Sequence, residues 1–269
     1  NLTSQNIHLV SNSGTTLPAD VWVSSSARIK PQLGYQYTVG FFKNLFDNQL
    51  ETSVELYYKD LRNQIDYRES YVESFSTDIE NEFVFGSGRA YGVELFIQKR
   101  RGRWTGWIGY TLSRTERWFD EIENGRVYPA VFDRPHDLSV VQSLQLNKSW
   151  QVSATFVYAT GRAFTPIQSL FIINGLPNVE YGPRNSSRFD DYHRLDLSLI
   201  YKKPASRPKK FTSSWAFSVY NVYNRLNPFF FYTSLNQSVL NGNSEAQAVK
   251  VSLFPIIPSI TWNFNWASK

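Results

Sequence analysis

The stretch Trp150-Gln-Val-Ser-Ala-Thr-Phe-Val-Tyr158 puts Trp150, Val152, Ala154, Phe156 and Tyr158 on one side of an extended chain. Gln151, Ser153, Thr155 and Val157 fall on the other side. Side chains alternate across a strand, so this is a strand with one greasy face and one largely polar face. The same period of two recurs outward in both directions. Leu50, Thr52, Val54, Leu56 and Tyr58 alternate with Glu51, Ser53, Glu55 and Tyr57. Tyr91, Val93, Leu95 and Ile97 do so with Gly92, Glu94, Phe96 and Gln98. Leu195, Leu197, Leu199 and Tyr201 follow, then Phe211, Ser213, Trp215, Phe217 and Val219. No segment repeats at helical spacing to this extent, so the chain reads as all-β and antiparallel.

The connections carry more information than the strands. Strands are predicted near 35–46, 49–61, 89–100, 103–115, 135–147, 150–161, 191–203, 211–223 and 249–265. Tight gaps stand at Asp47-Asn48, Arg101-Gly102 and Asn147-Lys148-Ser149, and a fairly short one runs from Lys203 to Lys210. Long segments 62–88, 116–134, 162–190 and 224–248 lie between them. Short and long connections alternate strictly. An up-and-down sheet with all short turns at one end produces that pattern, as in an outer-membrane barrel. The strands are longer than the 5–6 residues usual in soluble sheets. They also exceed slightly the 9–11 residues that a tilted spanning strand needs. The expected fold is an antiparallel transmembrane β-barrel. Aromatics gather toward strand ends, and Trp104, Tyr110, Trp150, Tyr158, Tyr201, Trp262 and Trp266 are the expected membrane-interface rings.

Composition excludes other classes. The 269 residues contain no Cys, so there is no disulfide framework, thiol nucleophile or Cys-ligated metal. Aromatics at 16% argue against disorder. The longest purely apolar runs, Leu170 to Ile173 and Phe229 to Tyr232, fall far short of a spanning helix. At Asn1 there is no initiator Met or leader pattern, so a processed product or a piece of a longer chain is expected. About nine strands point the same way, because single-chain bacterial barrels have even numbers.

An ordered set of motifs then becomes apparent. Lys30-Pro-Gln-Leu-Gly-Tyr-Gln-Tyr-Thr-Val-Gly40 is followed by Leu56-Tyr-Tyr-Lys-Asp60, Ile65-Asp-Tyr-Arg68 and Gly88-Arg-Ala-Tyr-Gly-Val-Glu-Leu95. Gly106-Trp-Ile-Gly-Tyr-Thr-Leu-Ser-Arg114, Phe132-Asp-Arg-Pro-His-Asp-Leu138, Tyr192-His-Arg-Leu-Asp-Leu-Ser198 and Tyr220-Asn-Val-Tyr-Asn-Arg-Leu-Asn-Pro228 come next. Ser252-Leu-Phe-Pro-Ile-Ile-Pro-Ser-Ile260 closes the set. Together they resemble TonB-dependent outer-membrane receptors of the Bacteroidetes type, over nearly the whole chain. The resemblance implies a 22-stranded barrel around an N-terminal plug. Residues 1–269 would be its C-terminal part, with the plug and TonB box upstream. It implies energised uptake of a scarce nutrient (siderophore, vitamin, glycan or peptide) into the periplasm. TonB acts through the N-terminal part, outer-membrane lipid surrounds the barrel, and a surface lipoprotein is a further candidate partner. Trp266 is followed by Ala267-Ser-Lys269, whereas the family usually ends on an aromatic.

The remaining chemistry-bearing clusters have simpler readings. Asp133-Arg134-Pro135-His136-Asp137 lacks a nucleophile elbow and reads as a charged cluster where a long loop runs into a strand. His193 falls with Leu195 on the lipid side, while Arg194 and Asp196 face the lumen. His8, His136 and His193 have no metal-ligand spacing, so no metal or cofactor is expected. The basic runs Lys99, Arg100, Arg101, Arg103 and Lys202, Lys203, Arg207, Lys209, Lys210 fall in short turns at one end. Solvated turns near headgroups explain them better than nucleic acid, so no nucleic-acid partner is expected. Loops on a rigid scaffold often carry recognition. Trp118, Arg126, Tyr128, Arg162, Tyr181, Arg184 and Arg188 are the candidate extracellular-loop contacts to ligand. No enzyme is expected. The rival reading is a plug-less structural or adhesive outer-membrane barrel.

Overall fold

The structure, a computed structural model, describes residues 7–11, 20–68, 79–173, 176–203, 211–235 and 246–266. Most of the Lys203 to Lys210 turn, with Arg207, Lys209 and Lys210, lies outside the described residues, as does the Ala267–Lys269 tail. A hairpin of β1 (Ile7–Ser11) and β2 (Asp20–Ser24) comes first. Then follow β3 (Leu33–Leu45), β4 (Leu50–Tyr67), β5 (Phe83–Lys99), β6 (Trp104–Trp118), β7 (Tyr128–Pro129), β8 (His136–Gln145) and β9 (Trp150–Ala159). The loop after β9 contains β10 (Ala163–Phe164), β11 (Ile167–Ile173), β12 (Leu176–Tyr181) and β13 (Ser187–Arg188). Strands β14 (Tyr192–Lys202), β15 (Phe211–Tyr220), β16 (Pro228–Leu235), β17 (Ala246–Ser252) and β18 (Ile257–Trp266) complete the chain.

One large antiparallel sheet dominates, in the order β18-β15-β14-β9-β8-β6-β5-β4-β3, with β7 attached to β6. Each strand pairs with its predecessor in the up-and-down path, so the sheet runs through the expected strands in the expected order. The boundaries differ in two places. Strands β4 and β5 continue to Tyr67 and back from Phe83, through residues expected to be loop. They therefore stand as a tall ribbon beyond the other strands. A bulge at Arg62-Asn63, with Asn63 at φ 55°, sets the register of this extension. The expected single strand 249–265 is instead two. Residues 246–252 pair with β16 in a loop hairpin, and only Ile257 onward joins the large sheet. Phe254 at φ 58°, followed by Pro255, breaks the extended run between them.

Directly paired residues share a sheet face. The register therefore assembles one face from Phe41, Val54, Leu95 and Tyr110, then Leu138, Tyr158 and His193. A second row runs Val140, Phe156, Leu195, and a third runs Leu199, Phe217, Ile260. The opposite face carries Glu55, Glu94, Thr111, Asp196, Ser198, Ser218 and Ser259. Many of the large apolar side chains on the first face are exposed: Val39, Leu56, Ile108, Leu197, Phe217 and Ile260 among them. A water-facing sheet of this width would expose an apolar patch well beyond that of a typical soluble monomer. A lipid-facing barrel wall needs such a face.

Buried cores occur where the sheet extends into the long connections. Val23, Ile29, Ile65, Tyr67 and Phe83 form one cluster, which seats the first hairpin on the β4–β5 ribbon. Val84, Phe119, Ile122 and Tyr128 form another, under the loop between β6 and β8. No helix among the described residues is long and apolar enough to cross a membrane.

Candidate functional site

The long connections meet at one end of the sheet, and three of them are joined there. Asp66, near the tip of β4, is buried. Its carboxylate pairs with the Arg184 guanidinium and accepts a hydrogen bond from the Tyr128 hydroxyl at 3.0 Å. The backbone N–H of Arg184 donates to the Glu123 carboxylate. One buried centre therefore ties the ribbon to the loops 119–135 and 160–191. Burial, and then the Asp66 charge, push the Tyr128 hydroxyl well above its ordinary range, so it stays protonated and donates. Burial works most strongly against the Arg184 charge, but Asp66 and Tyr128 together outweigh it and keep the guanidinium protonated.

A second centre lies beside it. Asp133 has no solvent exposure. It accepts the Thr115 N–H at 2.6 Å and pairs with Arg188. Arg188 also donates to the Asp133 carbonyl at 2.7 Å and to the Gly161 carbonyl at 3.1 Å. Asn185 adds a third link, its side-chain amide donating to the Pro129 carbonyl at 2.8 Å. Asp191 closes the base of the second loop. The Tyr158 hydroxyl donates to it at 2.6 Å and the Gly161 N–H at 3.1 Å, and the tyrosine contact above all holds its pKa below the usual carboxylate range.

The seven candidate loop residues thus separate. Tyr128, Arg184 and Arg188 belong to the two buried centres. Arg126 and Tyr181 are exposed. Arg162 is half-buried, reaches the Phe229 carbonyl at 2.8 Å and lies over the Phe189 ring. Trp118 ends β6, and alternation puts it on the face of Ile108, Tyr110 and Leu112. It lines a crevice of about 360 Å³ with Arg62, Phe85, Gly86 and Phe119. Asp66 was not singled out from the sequence as a site residue. Its signal was an acid held between Ile65 and Tyr67 in an otherwise strand-like run.

The expected interface aromatics fall on two levels of the apolar face. Trp104, Trp150, Tyr201, Trp262 and Trp266 lie at the short-turn end. Trp150, Tyr201, Trp215 and Trp262 form a continuous row over four neighbouring strands. Tyr110 and Tyr158 lie toward the long loops, with polar tips engaged: Tyr110 with His136 at 2.8 Å and Tyr158 with Asp191. From Trp150 to Tyr158 the strand rises about 26 Å at ~3.3 Å per residue. A tilt of roughly 40° leaves about 20 Å of height between ring levels, close to the ~25 Å apolar band of an outer-membrane barrel. Among the described residues no group of three or more His, Asp or Glu is placed to hold a metal ion.

Comparison with known proteins agrees with this architecture. Residues 9–224 match the family model "TonB dependent receptor-like, beta-barrel". No curated protein matches the chain in sequence. Among solved structures, the ferripyoverdine receptor of the Pseudomonas aeruginosa outer membrane is similar at TM-score 0.54 and 15% identity, over 88% of this chain and 27% of that one. The ferric-catecholate import receptor Fiu from E. coli K12 is similar at TM-score 0.53 and 15% identity, over 89% and 28%. The FpvAI–pyocin S2 complex gives TM-score 0.53 and 15% identity, over 88% and 28%. The chain spans just over a quarter of the length of these receptors. It belongs to the family of TonB-dependent receptor-like β-barrels.

Proposed function

We propose that residues 1–269 are the C-terminal part of the barrel of an outer-membrane TonB-dependent receptor that takes up a scarce nutrient into the periplasm. The observation that carries this reading is the nine-strand up-and-down sheet with its continuous apolar face and two aromatic levels. Within the described residues, β3 and β18 end the sheet, each with one unpaired edge. A free strand edge is not tolerated in lipid, so further strands complete the wall. In the complete receptor an upstream plug fills the lumen, and TonB acts on that plug from the periplasm. The short turns face the periplasm and the long loops face outward. The reading requires no covalent chemistry.

Ferric siderophores are the first ligand class to test, since the similar solved receptors are named for pyoverdine and catecholate import. Arg126, Arg162 and Tyr181 are the loop side chains proposed to reach ligand, and Trp118, which ends β6 on the apolar face, is proposed to pack at the rim. Tyr128, Arg184 and Arg188 shape the loops that carry them. A surface lipoprotein seated over the long loops is a further proposed partner.

The test is accumulation of labelled ferric siderophore, cobalamin, glycan and peptide probes in cells with and without the receptor. Loss of one probe on deletion, its return with the full receptor, and its loss again without TonB are the expected results. Unchanged accumulation of every probe would favour a plug-less structural or adhesive barrel.

A further inference from the structure

The apolar face carries charge at one place on β4, β5 and β6. Val54, Leu56, Tyr58 and then Asp60 and Arg62 follow one another on the same side of β4. Tyr37, Tyr58 and Tyr91 are directly paired across β3, β4 and β5, and Arg114 of β6 lies opposite Tyr91. The next row toward the long loops pairs Asp60 with Arg89 and Arg89 with Glu116. Tyr58 and Tyr91 stand eight residues from Leu50 and Lys99, the short-turn ends of β4 and β5, as Tyr158 stands eight from Trp150. These tyrosines are therefore the upper ring level on this part of the wall. Arg89 lies about 5 Å further out, at ~3.3 Å per residue and a tilt of roughly 40°.

We infer that Arg62, Arg89 and Arg114 form a site on the outside of the barrel wall for the phosphate of a phosphorylated lipid headgroup in the outer leaflet. Their side chains are all exposed, whereas Glu116 beneath them is buried. Glu116 accepts the Nε–H of Arg89 at 2.8 Å and that of Arg114 at 3.1 Å. It thereby fixes both guanidinium groups by one edge. Their terminal amino groups are the donors that a phosphate takes in the bidentate way that suits arginine. Asp60 holds Arg62 at 2.9 Å, and Arg62 lies over the Tyr35 ring at 5.1 Å. Three guanidinium groups against two carboxylates leave one positive charge, the complement of an anionic headgroup. Position selects lipid over a free anion. A cation on a lipid-facing wall is costly at the midplane and costs little at the interface. Here the cations stand immediately beyond the tyrosine level, so acyl chains below them meet Leu56, Val93 and Leu112 in one paired row.

The test uses the full receptor in detergent, with binding of diphosphorylated lipid A and of its dephosphorylated form read by native mass spectrometry. The phosphorylated lipid should bind at least about tenfold more tightly, the scale of a few charge-assisted hydrogen bonds. Arg89→Gln with Arg114→Gln should remove that preference and leave the dephosphorylated lipid unaffected. Equal affinity for the two lipids, or a preference that survives the double substitution, would overturn the inference. Inorganic phosphate at ten times the lipid concentration should not displace the lipid. Displacement would mean a free-anion site and would overturn the lipid assignment. If the doubly substituted receptor fails to assemble, Arg62→Gln decides, because Arg62 is exposed and bonds only at the surface. A loss of about threefold confined to the phosphorylated lipid supports the site, and unchanged binding refutes it. The choice of the outer leaflet rests on the proposed outward facing of the long loops. No nutrient or TonB enters the assay, so its failure is distinct from failure of the transport reading.

Discussion

Trp150 lies directly opposite Tyr201 across β9 and β14, on the apolar face, with ring centroids 4.8 Å apart. Trp215 and Trp262 continue the row at 6.0 Å. Paired aromatics are worth about 0.5–1.5 kcal/mol beyond the area they bury. A double-mutant cycle with Trp150→Ala and Tyr201→Ala, read by reversible unfolding from lipid, should return a coupling of that size. Independent losses would show that the rings act separately at the interface.

Leu197 and Ser198 are neighbours on β14 with opposite fates. Leu197 pairs with Ala154 and Val219 on the apolar face, while Ser198 pairs with Ser153 and Ser218 on the polar one. Leu197→Arg should cost about 2–4 kcal/mol, as a cation at the bilayer midplane does. Ser198→Arg should cost distinctly less in the same folding assay. The reverse order would invert the facing of the whole sheet.

Gly161 has no room for a side chain. A Cβ built there would lie 1.8 Å from the Phe189 carbonyl oxygen, which is backbone and cannot swing aside. Its N–H also anchors Asp191, and its carbonyl receives Arg188. Gly161→Ala should cost about 1–3 kcal/mol by overpacking. The loss should appear as faster amide exchange in 160–165 and 187–191. Unchanged exchange there would show that the loop base is not the close approach described.

Alkali should loosen the rim before the barrel. The folded-state pKa of Tyr128 is raised above its unfolded value near 10, because burial and Asp66 disfavour the phenolate. Its contribution is therefore complete below about pH 10 and is lost as pH climbs toward the folded value. Exchange in 122–130 should rise with pH in that window beyond the intrinsic base-catalysed trend. Tyr128→Phe should abolish that extra rise while costing about 1–3 kcal/mol at neutral pH, since Asp66 loses a donor. A pH response that survives Tyr128→Phe would assign it to another group.

External protease on intact cells should cut the β11–β12 hairpin first. Gln168, Phe171, Glu180 and Tyr181 are exposed there, beyond the Arg184–Asp66 and Arg188–Asp133 ion pairs. The Arg100–Arg103 turn, although basic and exposed, should survive because it faces the periplasm. Earlier cleavage at that turn would reverse the topology.

The large sheet was legible because a barrel wall states its own rule: every second residue apolar, short turn, long loop. Facing followed directly, and His193, Arg194 and Asp196 lie on the faces that alternation gave them. What misled was continuity. Val249, Val251 and Leu253 alternate as a strand does and lie close before β18, but their odd-numbered phase does not carry into Ile260, Trp262 and Phe264, and Phe254 and Pro255 turn the chain between them. Alternation cannot say which sheet a strand joins. The ribbon of β4 and β5 was shortened because Asn63 and Gln64 interrupt the pattern at a bulge. The loop centres were hidden for another reason. Arg184 and Asp66 are 118 residues apart, and nothing local marks either as a partner. Asp133 stood in a visible charged cluster, but its burial and its pairing with Arg188 come from tertiary packing.

The central claim is that the apolar face of this sheet touches lipid. Nitroxides at Leu195→Cys, Leu197→Cys and Leu199→Cys, and at Asp196→Cys and Ser198→Cys, in the full receptor in membranes, test it most directly. The account predicts high oxygen and low aqueous nickel collision at 195, 197 and 199, with the pattern lost or reversed at 196 and 198. Equal aqueous access at all five positions would contradict it, because the sheet would then stand in water.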